Sequence, residues 1–238
     1  GAHNMEPWFS DAKQVSTLDA EVCFLLRSDF DFGSDRPIED SERANFIEHL
    51  VQPDIPRVVP SLVRTSEAIG HEAELAAYYK QVVESAIRHG MSFNSISHYF
   101  WLRLWFWNTK EDIHVSFPWD DSYSEIAYFL DRFISIEAGR VFFSGDQGWE
   151  IEVYAHENQL FIREWDPDDD EIHACVCVPR LEFIQHVKEM MERSIKVIEA
   201  LSASLGEDVW TECVRTEPVF MSKPEPVVTS RKVWWKFW

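Results

Sequence analysis

Residues 97–107 read SHYFWLRLWFW, and this stretch decides how the chain is expected to fold. From residue 99 onward its side chains alternate between two faces, as those of a β-strand do. One face takes Tyr99, Trp101, Arg103, Trp105 and Trp107, and the other takes Phe100, Leu102, Leu104 and Phe106. Because both faces are almost wholly apolar, the stretch predicts a central strand over residues 99–107 that is covered on both sides.

The segments that follow predict antiparallel hairpins, each succeeded by a helix. Residues 113–117 return from the first strand and precede an apolar stripe with helical spacing. Residues 149–178 alternate across three short strands and precede the longest helical pattern of the chain. The order of hairpin and then helix therefore occurs twice, over residues 99–137 and 141–205, with negligible identity between the two copies.

These patterns predict one α+β domain in which helices pack against an antiparallel β-sheet. The domain is expected to span residues 5–238, because no segment in the middle has the composition of a linker. Residues 1–4, GAHN, are interpreted as the remnant of a cleaved tag. Residues 207–238 contain three prolines and predict an extended C-terminal strap.

The charge balance limits the partners that this chain is expected to bind. Of its 238 residues, 42 are acidic and 22 are Lys or Arg, which gives a formal net charge of -20. A protein of this charge repels the phosphates of nucleic acid and the anionic headgroups of membranes. We therefore expect no nucleic-acid partner and no membrane partner, and we expect attraction to a basic protein.

Cysteine usage and hydropathy favour a cytoplasmic protein. The four cysteines are Cys23, Cys175, Cys177 and Cys213, and their spacings suggest no disulfide framework. No run approaches 18 apolar residues, and no signal-peptide apolar region opens the chain. We therefore expect a reduced protein in the cytoplasm.

Two acidic segments are the candidate partner-binding sites. The first, WDPDDDE, contains Trp165, Asp166, Asp168, Asp169, Asp170 and Glu171. It lacks the central glycine and the distant glutamate of a calcium loop, so it predicts an acidic turn between strands that meets Lys or Arg on a partner. The second is the pair Asp120 and Asp121, which lies next to Ser122 and Glu125, a sequence typical of a helix start.

No metal or cofactor is expected from the sequence. The segment HACVC places His173, Cys175 and Cys177 on one face of a strand. Alternate residues of a strand lie about 6.6 Å apart, too far for three of them to converge on a tetrahedral zinc ion. The two cysteines are better explained as small buried side chains.

The pattern of the C-terminal half resembles that of bacterial immunity proteins of type VI secretion and contact-dependent inhibition toxins. The resemblance lies in the hairpin WEIEVYAHENQLFIREW, the acidic turn DPDDDE and the helix from Leu181 onward. It implies a small, acidic, cytosolic inhibitor that neutralises a cationic toxin by covering its active site. Under that interpretation Asp168, Asp169, Asp170 and Glu171 are interface acids, and an exposed Trp165 supplies apolar contact.

Two alternatives remain open at this level. A structural or assembly protein would pair through a sheet edge or through its tail, and its association would be almost insensitive to salt. An enzyme without a recognisable motif would need a deep pocket containing titratable groups with shifted pKa values. No nucleophile elbow, metalloprotease motif, Walker motif or dinucleotide fingerprint occurs in the chain.

The last eight residues, RKVWWKFW, combine cations and aromatic rings at the end of an acidic chain. The cations are Arg231, Lys232 and Lys236, and the rings are Trp234, Trp235, Phe237 and Trp238. A free tail would expose four large aromatic side chains to water, which favours aggregation. We therefore expect residues 231–238 to clasp the acidic body as an edge strand or in an aromatic groove, and a homodimer through the tail stays open.

Deletion of residues 231–238 tests the clasp. We expect the melting temperature to fall by several degrees, or the oligomeric mass to change, because the tail would lose its apolar and ionic contacts with the body. Thermal unfolding and light scattering of the full-length and shortened proteins measure both. An unchanged melt together with an unchanged mass would rule out the clasp.

Overall fold

The computed structural model describes residues 5–33, 36–117, 120–135, 138–146, 148–212 and 216–221. These residues contain both α-helices and mainly antiparallel β-sheets. The predicted α+β fold class is therefore confirmed. The proposed tag remnant and the tail clasp Arg231, Lys232, Trp234, Trp235, Lys236, Phe237 and Trp238 lie outside the described residues.

Eleven β-strands and five α-helices are interspersed along the described part of the chain. The strands are β1 (Lys13–Gln14), β2 (Asp19–Leu25), β3 (Asp29–Asp31), β4 (Ile47–His49), β5 (Leu62–Arg64), β6 (Leu102–Asn108), β7 (Ile113–Ser116), β8 (Gly139–Asp146), β9 (Trp149–His156), β10 (Gln159–Asp166) and β11 (Glu171–Pro179). The α-helices are α1 (Thr65–Ala68), α2 (Glu72–Arg88), α3 (Phe93–Ile96), α4 (Tyr123–Ile134) and α5 (Arg180–Leu205).

The strands form two main sheets and one small one. The four-stranded sheet has the order β5-β2-β6-β7 and is antiparallel throughout. The five-stranded sheet has the order β1-β11-β10-β9-β8, in which β1 alone runs parallel to its neighbour. Strands β3 and β4 pair separately. The two hairpin-and-helix units seen in the sequence therefore contribute to different sheets.

The stretch that predicted a central strand forms one only in part. The segment Ser97–Phe100 is a 3-10 helix, and β6 begins at Leu102. On β6 the Leu102, Leu104 and Phe106 face is buried, whereas Arg103 and Trp105 on the other face are half-buried. The prediction of a strand covered on both sides was therefore wrong.

The half-buried face of β6 is covered by an arginine side chain, which explains why tryptophans can occupy it. The guanidinium of Arg64 on β5 lies 5.7 Å from the ring centre of Trp105 and 4.4 Å from that of Trp107. The two indole rings lie 5.8 Å apart. A cation stacked on an indole face provides attraction without a second layer of apolar side chains.

Helix α5 joins the two sheets through an aromatic cluster. The ring of Phe183 on α5 lies 5.0 Å from Phe106 on β6 and 6.4 Å from Phe133 on α4. All three side chains are fully buried. One cluster of buried side chains runs from β2 and β6 through α5 to the inner face of β9, β10 and β11. The apolar stripes predicted for α4 and α5 face this core. So does that of α2, for which the spacing of Leu75, Tyr79 and Val82 in the sequence likewise predicts a helix over residues 71–90.

A buried carboxyl group lies where the two main sheets meet. Glu164 on β10 is 3% exposed, and the indole Nε1 of Trp149 donates a hydrogen bond of 3.1 Å to its Oε2. Burial raises the pKa of Glu164 to about 7, and hydrogen bonds from Trp149 and from the backbone of Ser116 on β7 offset part of that rise. Because the pKa is higher in the folded chain than the ordinary 4.5, the protonated carboxyl favours the fold.

Replacement of Glu164 by Gln tests this linkage. The stabilisation from the raised pKa is complete below pH 4.5 and is lost as the pH rises through about 7. Glutamine cannot ionise, so the free energy of unfolding of the variant relative to wild type should rise by roughly 2–3 kcal/mol between pH 5 and pH 8. Urea unfolding at several pH values measures this difference.

Glu182→Gln provides the control, because Glu182 is exposed on α5. The control should leave the pH dependence of unfolding as in wild type. Parallel stability curves for wild type and Glu164→Gln across the whole pH range would contradict the proposed linkage.

Candidate functional site

The acidic turn, residues 166–171, forms the tip of the β10–β11 hairpin. Asp166 and Glu171 are cross-strand partners that close the turn. The Oδ1 of Asp166 accepts hydrogen bonds from the backbone amides of Asp168 at 2.9 Å and Asp169 at 3.2 Å. Asp170 takes a left-handed conformation with φ of 52°. Aspartate is well suited to both positions, since its short side chain accepts hydrogen bonds from nearby amides and the residue tolerates positive φ.

A glycine in the neighbouring turn allows the acidic turn to lie close to it. Gly148, immediately before β9, has φ of 81°. A Cβ atom at this position would come within 3.2 Å of the Oδ2 of Asp168 and 3.7 Å of the Oδ1 of Asp166. Gly148 therefore lies against the acidic turn, and the carboxylates remain at one end of the five-stranded sheet.

The acids of this turn have no counter-ion in the described part of the chain. Asp168, Asp169, Asp170 and Glu171 are exposed, and no ion pair there joins them to a Lys, Arg or His. By contrast, Glu152 in the same sheet forms an ion pair with Arg163 at 3.0 Å. The turn thus concentrates unneutralised negative charge at one point on the surface.

Trp165 is held against the sheet beside this turn. The guanidinium of Arg163 lies 3.9 Å from the ring centre of Trp165 and 4.9 Å from that of Trp8. Trp165 is half-buried, so it is not the freely exposed anchor that the sequence suggested. The stacked guanidinium fixes its indole ring, and a fixed ring loses little conformational entropy when a partner covers it.

An apolar residue that the sequence reasoning missed completes this surface. Ile172 is 61% exposed and is the cross-strand partner of Trp165. The pairing depends on a register shift between Glu164 and Trp165, which the alternation of the sequence does not indicate. Trp165 and Ile172 therefore form an apolar pair directly behind the acidic turn.

The second predicted acidic pair has structural partners. The Oδ1 of Asp120 accepts a hydrogen bond of 2.7 Å from the Nε of Arg103, and this ion pair is half-buried. The Oδ1 of Asp121 accepts from the backbone amide of Ser122, which in turn caps α4. No recorded contact joins either acid to the acidic turn within the described residues.

The four-stranded sheet carries a second concentration of polar groups, around Glu21 on β2. Glu21 is 3% exposed and borders a cavity of about 320 Å³ between the sheet and α5. Burial raises the pKa of Glu21, and the hydrogen-bonding groups of Ser66 and the charge of Arg193 offset only part of that rise. Glu21 thus lies where a carboxylate is poorly solvated.

A further cavity, of about 670 Å³, is an open groove near the 3-10 helix Ser97–Phe100. Many of its polar groups already have backbone partners. Arg57 donates to three carbonyl groups, the Tyr99 hydroxyl accepts from the amide of Asp31, and Asp31 accepts from the amide of Gly33. These contacts hold the loops around the groove together.

Comparisons with known proteins leave the function to be argued from this geometry. Among the described residues, no helix has the length and apolar character needed to cross a membrane. Searches against protein-family models, curated proteins and solved structures find no match to this chain.

Proposed function

We propose that this protein is an acidic binding protein that neutralises a basic toxin by direct contact, in the manner of an immunity protein. The observation that carries the proposal is the acidic turn, where four exposed carboxylates have no counter-ion in the described part of the chain. Attraction between this turn and a cationic surface would speed encounter and orient the partner.

The surface behind the turn suits a short-range contact. Trp165 and Ile172 are cross-strand partners, and the guanidinium of Arg163 holds the indole ring in place. An aromatic side chain that is fixed in advance is typical of the residues that dominate binding energy at protein interfaces. Long-range steering by the acids and desolvation of this apolar pair would therefore act on the same partner surface.

The proposed inhibitory step is clearest for a toxin that acts on nucleic acid or another phosphate-bearing substrate. A toxin of that kind needs lysine or arginine side chains to bind its anionic substrate. Carboxylates in the acidic turn would pair with those side chains and take the place of the substrate phosphates. A toxin bound in this way would have its active site covered.

The experiment begins with capture of proteins from the native organism and identification of the bound partner by mass spectrometry. Affinity for the purified partner is then measured by calorimetry at several salt concentrations. We expect a basic partner, and we expect affinity to fall steeply with salt, because the contact is electrostatic. Co-expression should protect cells from the toxicity of the partner.

Matched variants locate the contact. The triple variant D168N, D169N and D170N removes three charges from the acidic turn, and E182Q, E192Q and E199Q removes three from the exposed face of α5. We expect the first to weaken binding about tenfold or more, and the second by less than about threefold. Equal losses of affinity in the two triple variants would mean that net charge alone, and not the acidic turn, determines binding. Affinity that does not change with salt would favour pairing through a sheet edge.

A further inference from the structure

The cavity beside Glu21 lies on the four-stranded sheet, where α5 crosses the start of β2 and the end of β6. Its volume is about 320 Å³. Buried residues form its floor and exposed carboxylates lie at its mouth. The residues that border it are Asp19, Ala20, Glu21, Ser66, Trp107, His186, Glu189 and Arg193.

Glu21 has unmet hydrogen-bonding capacity inside this cavity. Its Oε2 is buried and has no hydrogen-bond partner of normal geometry among the described residues. The hydroxyl and amide of Ser66 act on the same carboxyl group and lower its pKa, but they offset only part of the effect of burial. The guanidinium Nη2 of Arg193 lies 3.7 Å from the other carboxylate oxygen, Oε1, which is too far for a hydrogen bond. A buried carboxylate oxygen without a partner is costly, so the cavity favours a bound group that donates a hydrogen bond.

The charges around the cavity indicate the class of that group. Asp19, Glu21 and Glu189 supply three carboxyl groups to the lining, against the guanidinium of Arg193 there and that of Arg64 next to it, whose charge also acts on Glu21. The imidazole Nδ1 of His186 lies 3.0 Å from the carbonyl oxygen of Leu18, which fixes Nδ1 as the protonated donor. A compact cation with several N–H donors satisfies this lining better than an anion does.

The same lining favours an organic cation over a metal ion. Within the described segments, no three His, Cys, Asp or Glu side chains converge as metal ligands would. The volume exceeds that of one ammonium group. The buried indole of Trp107, whose ring has the Arg64 guanidinium 4.4 Å from its centre, provides the apolar part of the wall. An alkyl chain that carries a terminal ammonium would fill both parts of the cavity.

We propose that this cavity binds a small aliphatic primary amine in its ammonium form. The ammonium donates to Oε2 of Glu21, Asp19 and Glu189 balance its charge at the mouth, and the alkyl chain lies along Trp107. The site is independent of the proposed toxin contact, since its residues lie on β2, α1, β6 and α5 and none belongs to the acidic turn.

The test uses 1,4-diaminobutane as the probe and 1,4-butanediol as a neutral molecule of similar length. Calorimetry and NMR titration of the full chain should give saturable binding of the diamine and none of the diol. Glu21→Gln should weaken diamine binding about tenfold or more, because it removes the charge that the ammonium meets. Asp19→Asn, at the exposed mouth, should weaken it several-fold without disturbing the fold.

The D168N, D169N and D170N triple variant controls for general attraction of cations to an acidic protein. It should bind the diamine as wild type does. The proposal is overturned if this variant loses as much affinity as the two cavity variants, if the diol binds equally well, or if no saturable binding occurs up to about 10 mM diamine. Should Glu21→Gln fail to fold, unchanged binding by Asp19→Asn would overturn it equally.

Discussion

The shortage of cations is the constraint on which the arrangement of this protein depends. Forty-two acidic residues fold beside only 22 Lys and Arg residues, so many carboxylates must go without a counter-ion. A folded chain tolerates such carboxylates in water, or in the interior if they are protonated or hydrogen-bonded. The structure contains both kinds. Ion pairs such as Arg103–Asp120 and Arg163–Glu152 use some of the available cations to secure the sheets.

Two other groups of acidic residues affect the protein in different ways, one in the interior and one on the surface. Glu21 and Glu164 are buried, and burial raises the pKa of each above its ordinary value. Their protonation is therefore coupled to folding or to a ligand. Residues 168–171 lie at the hairpin tip, where water solvates them and a cationic partner can reach them. The same excess of acid thus produces a pH-sensitive interior and an electronegative surface.

Local patterns predicted much of the framework. The apolar stripes of α2, α4 and α5 and the alternating strands of the β9–β11 meander depend on near neighbours in sequence, and the structure contains them. Residues 99–101 were misjudged, because their aromatic run has the alternation of a strand, whereas Ser97–Phe100 is a 3-10 helix and β6 begins only at Leu102. Tertiary packing decided this case.

The candidate sites divide in the same way. The acidic turn was visible in the sequence, since clustered aspartates between strands favour a turn. The pairing of Trp165 with Ile172 requires a register shift, and the burial of Glu21 results from α5, which follows it by about 160 residues. Neither feature could be inferred from local spacing. The stacking of Arg163 on Trp165 could have been inferred in that way, because alternate residues of a strand share a face.

The central claim is that the tip of the β10–β11 hairpin meets a basic partner. Hydrogen–deuterium exchange of the backbone amides, compared with and without the purified partner, tests it most directly. The account predicts that protection on binding is concentrated in residues 165–173 and in the adjoining turn at Gly148. Unchanged exchange in residues 165–173, with new protection along the outer strand β8 or in residues 207–238, would contradict it.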